Sequence, residues 1–113
     1  MKTLTVEVTR EITIKIRRFD KNDWRFYSSC PPFGDGSAPF LAEVEDVGTV
    51  LADKSGLFFE LLDPGALNGV TQYGYNMTLN PSEAEHAVEI FAQFVAQGQR
   101  PESFFGTPRR TIT

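Results

Sequence analysis

The sequence predicts an α+β domain in which an antiparallel sheet of about five strands packs against one C-terminal α-helix. Three observations point to it: a period-two alternation through the first sixteen residues, apolar segments punctuated by Gly, Pro and Asn between Phe40 and Leu79, and a capped run of helical period from Asn80 to Gly98. The length of 113 residues, with 41% hydrophobic content and ten Phe, suits one domain, expected over 1–106 with 107–113 as a tail. A chain of this size buries roughly 65% of its unfolded surface without metal or disulfide staples.

From Leu4 to Ile16 the even positions read Leu, Val, Val, Arg, Ile, Ile, Ile, and the odd ones from 5 to 15 read Thr, Glu, Thr, Glu, Thr, Lys. Strict alternation of this kind means strand. No Gly, Pro or Asn interrupts it, so a hairpin at Thr9-Arg10-Glu11 would have poor turn chemistry, and one long strand bent there is expected. Asp20 to Asp23 is a polar turn into a second strand, with Trp24 and Phe26 on one face and Arg25 and Tyr27 on the other, pairing back on the first as a hairpin. Residues 30–39, with three Pro and two Gly, form the main loop.

Phe40 to Ala52 is extended chain broken near Val47-Gly48, and Asp53-Lys54-Ser55-Gly56 is a hairpin turn into the run Leu57 to Leu62. That run is apolar on both sides and belongs in the centre of the sheet. Asp63-Pro64-Gly65 fits a type II turn and Asn68-Gly69 offers another, one of which reverses the chain into a last strand with Tyr73, Tyr75, Met77 and Leu79 on one face. The helix is the clearest local signal. Asn80 is its cap, Pro81 occupies the first helical position, and Glu83 completes a capping box. Ala84, Ala87, Val88, Phe91, Phe94 and Val95 recur at helical spacing, Gly98 ends the helix and Pro101 bars its continuation. Val88, Phe91, Phe94 and Val95 are the expected contacts of this lid with the sheet.

Charge is segregated along the chain. Between Phe26 and Gln99 ten acids face one cation, Lys54, a formal −9, whereas residues 1–25 carry seven cations against four acids and residues 100–113 three against one. A concentrated field recruits partners of opposite sign. The acidic candidates for such a contact are Asp35, Glu43, Glu45, Asp46, Asp53, Glu60 and Asp63, with Phe33 and Phe40 as apolar anchors. Glu43 and Glu45 share a strand face about 7 Å apart, near the phosphate repeat of a nucleic-acid strand. The expected function is therefore non-enzymatic: a small inhibitor or accessory protein whose acidic surface occupies the basic, nucleic-acid-binding groove of a partner. By analogy of profile alone, phages and mobile elements make such proteins against host defence.

Two other classes compete. Lys15, Arg17, Arg18, Lys21 and Arg25, interleaved with Trp24, make a direct nucleic-acid binder of the first hairpin conceivable, weakened by four nearby acids and a pI of 4.9. A small-ligand domain around the Cys30–Phe40 loop, with Tyr73 and Tyr75 beside it, is the other. Catalytic signatures are missing: no Gly-x-Ser-x-Gly elbow and no phosphate loop occur, and Cys30 has only Asp35 near it in sequence, which would raise its pKa. Glu83, His86 and Glu89 line one helix face, but Glu-x-x-His is half of a di-iron motif whose other half needs further helices, so no metal and no cofactor are expected. With a lone cysteine and no leader or membrane-length apolar run, a cytoplasmic protein is expected, monomeric or a homodimer through the long first strand.

Overall fold

The computed structural model describes residues 1–23, 31–106 and 110–112, with Lys21 and the last three described by backbone only. Six strands precede the helix: β1 (Lys2–Glu7), β2 (Glu11–Arg18), β3 (Phe40–Val44), β4 (Gly48–Asp53), β5 (Gly56–Leu62) and β6 (Val70–Asn76). Helix α1 (Pro81–Ala96) follows, then a single helical turn, Glu102–Phe105, and a three-residue strand β7 (Arg110–Ile112). Sheet order equals chain order and every neighbouring pair is antiparallel, so the sheet is a simple meander. The α+β class and the lid helix are as the sequence predicts, with six strands before the helix in place of about five.

The extra strand comes from the N-terminal run, which is a hairpin and not one bent strand. Lys2 lies opposite Ile16 and Glu7 opposite Glu11, leaving 8–10 as the loop. Because three residues intervene, even positions face even positions, and Leu4, Val6, Ile12, Ile14 and Ile16 stay on one side. The physical reason for folding back is coverage. A thirteen-residue strand is about 43 Å long, whereas a sixteen-residue helix spans about 24 Å, so a single strand would carry Leu4 and Val6 away from the lid.

Both edges of β2 are occupied, by β1 along 11–16 and by β3 along 14–18. The strand expected at Trp24–Tyr27 lies outside the described residues, and β2 pairs elsewhere. The end of the chain differs from a tail, since Arg110–Ile112 pairs with Gln72–Gly74. Between β5 and β6 both candidate turns are used in series: Ala66 N donates to Asp63 O and Gly69 N to Ala66 O. Gly65 does not take the positive φ of the expected type II turn.

Helix α1 begins where Asn80 and Pro81 say it should. Asn80 Oδ1 accepts from Glu83 N at 2.8 Å while Asn80 N donates to Glu83 Oε1 at 3.0 Å. Its buried side chains are Ala84, Val88, Ala92, Val95 and Ala96, and beneath them lie Ala42, Val50 and Ala52. Small residues on both surfaces bring helix and sheet close together. Phe91 and Phe94, expected as the main buried contacts, flank that seam half-buried, stacking with Phe105 at 5.0 Å and Phe104 at 4.7 Å respectively. This aromatic cluster reaches Phe59 and Tyr75 and closes the core over β5 and β6.

Two glycines are sterically required. At Gly48 (φ +148°) a Cβ would overlap the Glu60 carbonyl oxygen, and at Gly56 (φ +156°) it would overlap that of Tyr75. Each opens a strand where the neighbouring backbone passes too close for any side chain.

Candidate functional site

One face of the sheet lies under α1; the opposite face carries Glu43 and Glu60 of the acidic candidates, with Lys15 and Arg17 of the basic ones. Register aligns Thr3, Lys15, Glu43, Thr49, Glu60 and Gln72 in one row across six strands, beside a row containing Arg17, Leu41, Leu51 and Phe58. Leu41 and Leu51 form a small second cluster with Phe19, Ala38 and Phe58, while over β1 and β2 the face is open: Thr3, Thr5, Glu7, Glu11 and Lys15 are exposed.

Arg17 is the electrostatic centre of this face. Its Nη1 and Nη2 donate to both oxygens of Asp23 at 2.6 and 2.9 Å, and Nη2 reaches Glu43 Oε1 at 3.2 Å, with Asp20 at 3.6 Å from Nη1. Asp23 is only 6% exposed and also accepts from Asp20 N at 2.7 Å. The hydrogen bonds to Asp23 foremost, then Glu43, outweigh burial and hold the guanidinium pKa above its ordinary value. A second arginine, Arg10 in the β1–β2 loop, donates to Asp46 Oδ2 at 2.9 Å and lies 3.8 Å from Glu45 Oε1. Glu45 Oε1 also accepts from Thr13 N at 3.2 Å, and Asp46 takes a left-handed φ of +58° in the β3–β4 turn.

The seven acidic candidates therefore do not make one patch. Glu43, Glu45 and Asp46 lie together on and just beyond β3, each touching an arginine, with side-chain exposures of 52%, 49% and 72%. Glu60 shares the row of Glu43 and accepts from Gln72 Nε2 at 2.9 Å. The other three serve turns. Asp35 accepts from the hydroxyl and backbone N–H of Ser37, and Asp63 from Thr71 Oγ1 and Gly65 N; these bonds hold both carboxyls below the usual range. Asp53 is fully buried, with Oδ1 accepting from Ser55 N, Ser55 Oγ and Gly56 N and Oδ2 without a partner. It cannot touch a partner protein.

Phe33 and Phe40 are not surface anchors either. They are 4% and 5% exposed, part of the main core, with ring centroids 6.3 Å apart, because the 31–39 loop folds inward at Phe33. Tyr73 and Tyr75 are buried too, on β6, three strands from Phe40 on β3, and all four aromatics belong to the main core. Burial, then the nearby Glu102 carboxylate, pushes the Tyr75 hydroxyl up to about 12, and Tyr73 moves the same way.

The basic set is divided as well. Arg17 is held by three carboxylates, Arg18 lies 4.3 Å over the Phe40 ring and donates to Ala38 O, and Lys15 is exposed in the polar row. Lys21 sits in a short 3-10 turn; Trp24, Arg25 and Cys30 lie outside the described residues. On the helix, Glu83 is engaged in the cap and Glu89 accepts from Lys2 Nζ at 2.7 Å, which separates them from the exposed His86. Sequence reasoning placed Arg10 among the basic residues of the first hairpin, where it breaks the apolar parity, but missed Asp20 and Asp23 as parts of the charged face. The legible signal for these two was the Arg17/Asp20 spacing.

Compared with family models, with curated proteins and with solved structures, the chain matches none.

Proposed function

We propose that this protein is a non-enzymatic binding module whose open sheet face docks on a protein partner with a basic surface, such as a nucleic-acid-binding groove. The observation that carries the reading is the state of Glu43, Glu45 and Asp46: about half exposed or more, yet each steadied by an arginine. Around them Glu7, Glu11, Asp20, Asp23 and Glu60 bring the acids on this face to eight against three cations, Arg10, Lys15 and Arg17, among the described residues. The arginines reduce the field without cancelling it, and they fix carboxylates that would otherwise lose rotamer entropy on binding.

The test compares two baits in extracts of the source cells, the wild-type protein and Glu43→Lys/Glu45→Lys/Asp46→Lys. The reading expects a basic protein enriched on the first and lost from the second, while circular dichroism of the variant stays unchanged. Equal retention on both baits would end it. Loss of charged contacts should also appear as salt sensitivity, with binding weakening as ionic strength rises.

A further inference from the structure

Among the described residues strand β1 ends the sheet, with β2 as its single strand neighbour. Its hydrogen-bonding phase follows from two bonds on the other side of β2: Glu45 N donates to Thr13 O and Phe19 N to Pro39 O. Odd residues of β2 thus face β3, so even ones face β1, where Ile12, Ile14 and Ile16 meet Val6, Leu4 and Lys2. The N–H and C=O groups of Thr3, Thr5 and Glu7 consequently point away from the sheet. The edge is lightly guarded: β1, Lys-Thr-Leu-Thr-Val-Glu, has no Pro, no Gly and no bulge, and its charged residues are Lys2, engaged by Glu89, and Glu7 at its far end.

We infer that β1 pairs with β1 of a second copy of this chain, antiparallel about a twofold axis at Thr5, continuing the sheet across the dimer. The faces match only if residues of equal parity meet, and centring on Thr5 achieves this: Thr5 meets its own copy, Thr3 meets Glu7 of the second copy, and Leu4 meets Val6. Six backbone hydrogen bonds form from the outward groups of Thr3, Thr5 and Glu7. Leu4, half-buried in one copy, gains a cover on the helix side. Charge fits the same register. Within one copy Glu7 lies directly opposite Glu11, an exposed like-charge pair, and Thr3 opposite Lys15. In the dimer the row runs Glu11, Glu7, then Thr3 and Lys15 of the second copy, setting a lysine about 10 Å from each glutamate pair. Both open faces then lie on the same side, so the proposed docking surface is doubled; the pairing itself does not depend on that function.

The experiment is sedimentation equilibrium and disulfide trapping on the full chain in a Cys30→Ser background. Wild-type protein is expected to be dimeric at micromolar concentration. Thr5→Pro removes an outward N–H that no intramolecular bond uses, and Thr5→Lys sets two like charges face to face, so both should sediment as monomers with unchanged circular dichroism. Thr5→Cys should cross-link readily in a glutathione buffer. Thr3→Cys should not, because the register separates the two Thr3 positions by far more than the ~7 Å a disulfide bridges. A wild-type chain that stays monomeric at high concentration overturns the inference, as does a dimer untouched by Thr5→Pro or a Thr3→Cys chain that cross-links as well as Thr5→Cys.

Discussion

Replacing Arg17 tests the electrostatic design of the open face most sharply, because one guanidinium serves two very different carboxylates. Asp23 is 6% exposed and receives two N–H bonds from Arg17, whereas the Glu43 side chain is 52% exposed and receives one at 3.2 Å. Removing one partner of a buried pair costs about 3 to 5 kcal/mol; the Arg17 side chain is itself 24% exposed, so water relieves part of the penalty left on Asp23. Arg17→Met should then cost about 2 to 3 kcal/mol, and the coupling between Arg17 and Asp23 should be of that order. Coupling to Glu43 should stay below about 1 kcal/mol. Urea unfolding of the two double-mutant cycles reads both values, and with a slope of about 1.5 kcal/mol/M the Arg17→Met midpoint falls by roughly 1.5 M. In 1 M NaCl the Glu43 coupling should vanish while the Asp23 coupling persists. Equal couplings for the two acids, or a midpoint unmoved by Arg17→Met, would refute the assignment of a buried hub.

Gly48→Ala and Gly56→Ala should each destabilise the fold by more than about 2 kcal/mol in urea melts, since each must displace backbone of the adjacent strand; a change under 0.5 kcal/mol would contradict the packing. Alkaline stability carries the mark of Tyr75. Its hydroxyl pKa is raised in the fold to about 12 from 10.0, so its contribution is complete below the unfolded value and is lost as pH rises through the folded one. Unfolding free energy should fall by about 2 to 3 kcal/mol between pH 10 and 12, and Tyr75→Phe should flatten that slope, whereas an equally steep slope in the variant would dismiss the assignment.

The parts of this fold legible in the sequence are those with local chemistry. The Asn80-Pro81-x-Glu83 start of α1, the Asp53–Gly56 hairpin turn and the break before Gly48 each reside within a few residues, and the structure has them in place. The β1–β2 hairpin was not legible, because an odd-numbered loop leaves the alternation of Leu4 to Ile16 identical to that of one strand. The buried seam of α1 was legible in Ala84, Val88 and Val95 but not in Ala92 and Ala96, which complete it while the larger Phe91 and Phe94 stand beside it.

The charge pattern misled for a related reason. Acids and bases that the chain keeps apart are brought together by the meander: Arg10 reaches Asp46, Arg17 reaches Glu43, and Lys2 reaches Glu89 eighty-seven residues away. Burial divided the rest, since Asp53 and Phe40 look no different in sequence from exposed residues of their types.

The reading of the open face as a docking surface is tested most directly by carboxyl footprinting of the captured complex, labelling with a carbodiimide and a small amine and comparing free with bound protein. The account predicts that Glu43, Glu45 and Asp46 are shielded on binding while Glu83 and Glu85, at the exposed start of α1, label as before. Shielding of the helix glutamates with the three β3 acids still fully labelled would contradict it.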